Sequence, residues 1–112
     1  YVGDNNNLYV YSFVSSWGQV GSSVVTTNAQ TGTNSSMKMV LDNDFPTVAY
    51  NLATTSNKIM VHSTDNSTWT AYDNTTLSSN ANGVFAFDVY NGKPFIFYHD
   101  TSGNTGSLVT FD

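Results

Sequence analysis

The chain has 112 residues, no cysteine and a formal net charge of −5, and only 10% of its residues are charged. Its three lysines lie far apart and it has no arginine, so it lacks the clustered cations that bind nucleic-acid phosphates or anionic membranes. No apolar run approaches the roughly 20 residues of a spanning helix, and there is no signal-peptide pattern. We therefore expect a mature segment of a larger protein, located outside the cell or at its surface, with no nucleic-acid partner and no membrane insertion.

Alternating apolar and polar residues predict strands along the whole chain. Tyr, Phe, Thr and Val favour pleated, half-buried surfaces, whereas the abundant Asn, Gly, Ser and Asp favour turns. In chain order the runs are "LYVYSF" at 8–13, "MKMVL" at 37–41, "PTVAY" at 46–50, "KIMVHS" at 58–63, "VFAFDV" at 84–89, "PFIFY" at 94–98 and "SLVTF" at 107–111. With no amphipathic helix among them, these runs predict an all-β protein.

The predicted strands repeat. Aligning Pro46 with Pro94, a spacing of 48, places "MKMVLDNDFPTVAY" over "FAFDVYNGKPFIFY". Trp17 and Trp69 are 52 residues apart, and each follows an alternating strand and a short polar turn. The C-terminal "TGSLVTFD" reads as a third copy of that strand. The repeating unit is therefore about 50 residues long.

A unit of four short antiparallel strands at this period is typical of a β-propeller blade. The chain then divides into a partial blade at 1–25, a blade at about 36–73 and a partial blade at about 84–112, all in a single segment. About two blades cannot close a ring, so we expect either an open fragment of a longer propeller or a subunit that assembles with others. A β-sandwich is the alternative fold.

The stretch "STDNSTW" at 63–69 resembles the Asp-box repeat of the sialidase-like (BNR) β-propellers, written S-x-D-x-G-x-T-W. The matching residues are Ser63, Asp65, Thr68 and Trp69. The turn is one residue shorter, Ser67 stands where the family has Gly, and the earlier copy that ends at Trp17 lacks the Asp. "NGKPFIFYHDTSGNTGSL" is similar to segments of extracellular propeller repeats. The resemblance implies a propeller fold in which these residues hold a turn.

Elementary chemistry gives the box a structural role. An Asp carboxylate and Ser or Thr hydroxyls accept hydrogen bonds from the free amides of a tight turn, while the Trp packs its ring against the blade. Sialidase-like catalysis implies an arginine cluster, a Tyr nucleophile assisted by Glu, and an Asp acid/base. This chain has neither Arg nor Glu. We therefore expect no catalytic residues here.

Five residues are candidate ligand contacts: Tyr72, Tyr90 and Tyr98 as exposed aromatic side chains, and His99 and Asp100 in "YHD" after a strand. Against this, alternating aromatics are more often core residues, and a loop histidine beside an Asp is usually satisfied locally. His62, within a strand, is expected to be a partly buried sheet residue.

Oxygen-rich stretches at 3–7 ("GDNNN") and 42–44 ("DND") offer calcium ligands, but their spacing is not that of an EF-hand. Because the copy of "DND" reads "YNG", Asn43-Asp44 is predicted to be a two-residue hairpin turn. We expect no cofactor, with calcium as the alternative at these stretches. Sequons start at Asn34, Asn66 and Asn74, and Asn66, inside the box, is expected to be less accessible than the other two.

The sequence therefore predicts a non-catalytic extracellular propeller segment that binds glycans or protein, or serves as a scaffold. One alternative is part of a sialidase-like glycoside-processing enzyme whose catalytic residues lie outside these 112 residues. Another is a subunit of an extracellular assembly, which self-associates when its terminal strand, around Ser107 to Phe111, pairs with a neighbouring copy.

Overall fold

A computed structural model describes residues 1–27, 29–30, 36–52, 58–72 and 81–111. Within these ranges the protein is all-β. The strands are β1 (Tyr11–Phe13), β2 (Trp17–Gln19), β3 (Met37–Asp42), β4 (Phe45–Asn51), β5 (Ile59–Thr64), β6 (Trp69–Ala71), β7 (Ala81–Tyr90), β8 (Lys93–Asp100) and β9 (Thr105–Thr110). None of the described residues forms a helix that could cross a membrane.

The described strands form three antiparallel sheets in which each strand pairs with the next one along the chain. Strands β1 and β2 form a hairpin, β3 to β6 form a four-stranded central sheet, and β7 to β9 form a three-stranded C-terminal sheet. None of these sheets closes on itself. All seven predicted strands overlap a strand of the structure, and both tryptophans begin short strands, as the repeat predicted.

Two hairpins have the same geometry. Asn43 and Asp44 link β3 to β4 with φ of 50° and 68°, and Asn91 and Gly92 link β7 to β8 with φ of 51° and 72°. Two consecutive positive φ values are the signature of a type I′ turn, which Asn, Asp and Gly tolerate best. The predicted turn at Asn43-Asp44 is therefore confirmed.

The cross-strand register of the two hairpins is also the same. Met37 pairs with Tyr50 in the central sheet, and Phe85 pairs with Tyr98 in the C-terminal sheet. The second pair follows the first by 48 residues, which is also the spacing between Pro46 and Pro94. The side chains that alternate along β4 and β8 therefore fall on corresponding faces of their sheets.

The central sheet is the middle of three layers, and its two faces contribute to two different cores. On one face, Val48 and Tyr50 pack with Leu8, Val25 and Ala29 of the N-terminal segment, residues 1–27 and 29–30. On the other face, the core contains Ala49, Ile59 and Val61 with Phe85, Ile96, Tyr98 and Phe111 from the C-terminal part. Strand β4 is buried on both faces for this reason, and six of its seven residues are buried.

Candidate functional site

The polar turn of the box joins β5 to β6. Oδ1 of Asp65 accepts hydrogen bonds from the backbone amides of Ser67, at 2.8 Å, and Thr68, at 2.9 Å. The bonds from the Thr68 and Ser67 amides lower the pKa of Asp65 below its ordinary value of 3.8. Asn66, at φ 73°, provides the left-handed residue that the tight turn requires. The carboxylate therefore acts on its own backbone, as the sequence predicted.

The hydroxyl of the box comes from a residue that the motif did not identify. Oγ1 of Thr64 accepts from the Asn66 amide at 3.0 Å and donates to the Thr68 carbonyl at 2.6 Å. Thr64 is buried, whereas Ser63, the residue assigned by the motif, pairs with Thr70 on the opposite face of the sheet. The turn hydroxyl therefore belongs to Thr64 and not to its neighbour Ser63, which matched the motif.

Trp69 joins the central sheet to the N-terminal segment. Its Nε1 donates to the carbonyl of Val20 at 3.2 Å, and the side chain packs against the core that contains Leu8 and Val25. Gly21, at φ 80°, lies beneath the ring: a Cβ there would be 2.7 Å from Nε1. The tryptophan of the box thus connects two layers, and Gly21 leaves room for it.

Trp17, which aligns with Trp69 in the sequence, has a different environment. Its side chain is 70% exposed and contacts Phe13, with ring centroids 5.4 Å apart. The prediction that each box tryptophan packs against the blade therefore holds for Trp69 and is wrong for Trp17. The described residues place no layer in front of Trp17, whereas Trp69 has the N-terminal segment in front of it.

The structure does not bring the five candidate ligand contacts into one site. Tyr90 is 70% exposed, beside the turn at the start of β8, whereas His99 and Asp100 are at its far end, about 20 Å away at 3.3 Å per residue. Tyr72 is half-buried, and its hydroxyl donates to the Gly92 carbonyl at 3.4 Å. Tyr98 is buried in the core, so its prediction as an exposed contact was wrong: it lies on the face of β8 that packs against the central sheet.

His99 and Asp100 make local hydrogen bonds within the β8–β9 loop. Nε2 of His99 is 2.9 Å from Oδ1 of Asn104. Oδ1 of Asp100 accepts from the Ser102 amide, at 2.9 Å, and from its hydroxyl, at 2.6 Å. Both side chains stabilise the turn that connects the two strands.

An aromatic cleft that the sequence did not single out lies between the N-terminal segment and β3. We call it the tyrosine cleft; it has a volume of about 230 Å³ and is lined by Tyr1, Tyr9, Val10, Tyr11, Met37, Lys38, Met39 and Val48. The Tyr1 ring stacks on both Tyr9 and Tyr11, at centroid distances of 5.3 and 6.0 Å. The alternation of Tyr9 and Tyr11 in "LYVYSF" is the sequence signal that these rings share a face.

His62 is half-buried in β5, as expected, and lies against Tyr50. Its Nδ1 is 3.3 Å from the Tyr50 hydroxyl, and the two rings stack at 5.7 Å. Burial lowers the pKa of His62 below 6.5 and raises that of Tyr50 above 10.0. The pair is therefore neutral in the fold at neutral pH.

Calcium ligands and glycosylated asparagines were expected mostly in polar loops and turns. No three His, Cys, Asp or Glu side chains come together as metal ligands within the described residues. Asn34 and Asn74 lie outside those residues. Asn66 is exposed at the tip of the box turn, and its accessibility relative to the other two sequons stays a prediction.

Comparison with known proteins found no matching family model, no matching curated protein and no matching solved structure.

Proposed function

We propose that the chain is a non-catalytic extracellular module built from β-propeller-type blades, and that it binds neutral glycans through the tyrosine cleft. The observation that carries this proposal is the cleft itself. Three tyrosines present aromatic surface and hydroxyl groups, and two methionines provide adaptable apolar contacts. This combination suits a sugar ring, which has apolar C–H faces and a polar edge.

The size of the cleft favours a small ligand, and the charge of the whole protein favours a neutral one. At about 230 Å³ it is smaller than the clefts that enclose drug-sized molecules, which start at roughly 300 Å³, so it suits one ring at the end or side of a chain. Lys38 is the one charged side chain among its lining residues, and the terminal ammonium of Tyr1 adds a second positive group, whereas the whole protein has a net charge of −5. The overall charge disfavours acidic sugars at long range.

The layered arrangement supports the propeller-type assignment. The central sheet is a meander of four antiparallel strands, and it packs face to face with units before and after it. The shared register of the two hairpins and the box turn between β5 and β6 are what repeated blades would have. The scarcity of charged residues and the exposed sequon at Asn66 fit the extracellular location that we propose.

The non-catalytic assignment is supported by what the acidic side chains do. Asp65 and Asp100 each accept hydrogen bonds from nearby turn residues, which explains their positions without chemistry on a substrate. We therefore assign the described residues a binding role.

A titration of the ¹⁵N-labelled protein with cellohexaose, followed by amide chemical shifts, tests the binding. We expect saturable shifts confined to residues near the cleft, and Tyr9→Ala should weaken them at least tenfold. Shifts centred on the Asp65 turn, or none at all, would contradict the proposal. Incubation with 3′-sialyllactose tests the catalytic alternative, and release of free sialic acid would refute the non-catalytic assignment.

A further inference from the structure

We propose that a second copy of this chain packs head-to-tail on the outer face of the C-terminal sheet, and that it does so with the aromatic end of its N-terminal segment. The free face consists of Ala86, Phe95, Phe97 and Leu108. The aromatic end consists of Tyr1, Tyr9, Tyr11, Phe13 and Trp17. This inference rests on the proposed stacking of propeller-type units, and it is independent of glycan binding.

The two ends of the stack are exposed in corresponding positions. Tyr50 pairs with Met60 and is 2% exposed, and Tyr98 pairs with Ser107 and is 4% exposed. The terminal ammonium of Tyr1 donates to the Tyr9 carbonyl and the Tyr1 carbonyl accepts from the Tyr9 amide, both at 2.9 Å, yet Tyr1 is 65% exposed. The preceding layer covers the tyrosine in the second and third units. A preceding layer from another copy would cover Tyr1 in the same way.

The opposite end shows the complementary relationship. Ala49 of the central sheet is fully buried under the C-terminal sheet, and Phe97, which follows it by 48 residues, is 54% exposed. Leu108, the cross-strand neighbour of Phe97, is 69% exposed. Each layer therefore uses one face to cover the layer before it and offers the other face to the next.

The two surfaces also match in shape and chemistry. The free face forms a shallow depression of about 370 Å³ lined by Ala86, Phe87, Asp88, Phe95, Phe97 and Leu108. Phe13 and Trp17 protrude from the aromatic end, at 61% and 70% exposure, and contact each other. Large aromatic side chains that fill apolar depressions are the usual energetic centres of protein interfaces. The contact is heterologous, so it would extend from copy to copy unless a ring closes.

Sedimentation velocity of the 112-residue chain over a wide concentration range tests this contact. We expect the wild type to form species whose size grows with concentration or stops at a ring. Leu108→Lys alters only the free face and Trp17→Lys only the aromatic end, and each should weaken association about tenfold or more. Ala71→Lys adds the same charge to an exposed residue on neither surface and should associate as the wild type does.

The decisive sample is a one-to-one mixture of the two interface variants. The Leu108→Lys chain keeps an intact aromatic end and the Trp17→Lys chain keeps an intact free face, so the mixture should form a heterodimer and nothing larger. A monomeric wild type, unchanged association of either variant, or a mixture that stays monomeric would overturn the proposal. Pairing through the open edge of β9, or of two free faces with each other, would produce one of these contrary results.

Two controls separate this inference from the others. Far-UV circular dichroism and thermal unfolding show whether each variant is folded, and both substitutions are at exposed side chains. Because Tyr1, Tyr9 and Tyr11 belong both to the tyrosine cleft and to the aromatic end, assembly is measured without sugar. The cellohexaose titration is made with Leu108→Lys, whose cleft is intact, so that either proposal can fail without the other.

Discussion

Nε1 of Trp69 donates a hydrogen bond to the carbonyl of Val20 across 49 residues of sequence. The bond attaches the outer strand of the central sheet to the N-terminal segment, over a core that includes Leu8 and Val25. The side chain of Trp17, which aligns with Trp69 in the sequence, is mostly exposed. Trp69 is therefore held between two layers, whereas no described layer covers Trp17.

Trp69→Ala should lower the free energy of unfolding by about 3 kcal/mol, since the substitution removes a large side chain from the interface between two layers. Trp17→Ala is the matched control, and it should change that free energy by less than about 0.5 kcal/mol, as exposed substitutions usually do. Urea unfolding followed by circular dichroism measures both. Equal losses for the two variants would show that the contact with Val20 is unimportant.

Gly21→Ala tests whether the packing of Trp69 requires a glycine at position 21. The substitution combines a positive φ with a close contact to the indole ring, so it should cost more than Gly83→Ala, which has a φ of 76° and no atom near its Cβ. The cost of the positive φ alone is about 1 kcal/mol. Any further loss in Gly21→Ala measures the clash with Trp69. Equal unfolding midpoints for the two variants would mean that the ring moves aside freely.

Asp65→Ala should destabilise the protein, but less than Trp69→Ala does, because the Thr64 hydroxyl still holds the turn. Asp65→Asn keeps one acceptor oxygen and should fall between Asp65→Ala and the wild type. The low pKa of Asp65 gives a pH signature. The contribution of the Asp65 carboxylate to stability is complete above pH 3.8, which is the ordinary pKa of an aspartate, and is lost as the pH falls through the folded pKa. Acid unfolding midpoints of the three proteins measure this order.

His62 should make the protein less stable in mild acid. Burial lowers its pKa in the fold, so the unfolded chain takes up a proton at a higher pH than the folded chain does. Protonation of His62 therefore leaves the free energy of unfolding unchanged above pH 6.5 and lowers it as the pH falls toward the folded pKa. We therefore expect the free energy of unfolding of His62→Gln to rise relative to that of the wild type as the pH is lowered from 7 to 5. A difference in unfolding free energy that is independent of pH would contradict this account.

The local structure could largely be predicted from the sequence, because strands, turns and register depend on neighbouring residues. Alternation located β3 to β5 and β7 to β9 to within a few residues, and Asn43-Asp44 and Asn91-Gly92 were recognisable as turns. The Asp65 carboxylate followed from turn chemistry. These features each depend on a short stretch of chain.

What could not be predicted depends on which layer lies against which face. Tyr98 and Phe97 are adjacent and both aromatic, and only the position of the central sheet makes Tyr98 the buried one. Trp17 and Trp69 differ for the same reason. The tyrosine cleft combines Tyr1, Tyr9 and Tyr11 with β3, a contact between segments that sequence alternation cannot locate.

We propose that the aromatic residues bind the glycan and that the box turn only supports the fold. The most direct test compares the cellohexaose affinities of Asp65→Ala and Tyr9→Ala by amide chemical shifts, at a temperature where both are folded. We predict that Asp65→Ala binds within about twofold of the wild type and that Tyr9→Ala binds at least tenfold more weakly. A folded Asp65→Ala that no longer binds, or a Tyr9→Ala that binds as the wild type does, would contradict the account.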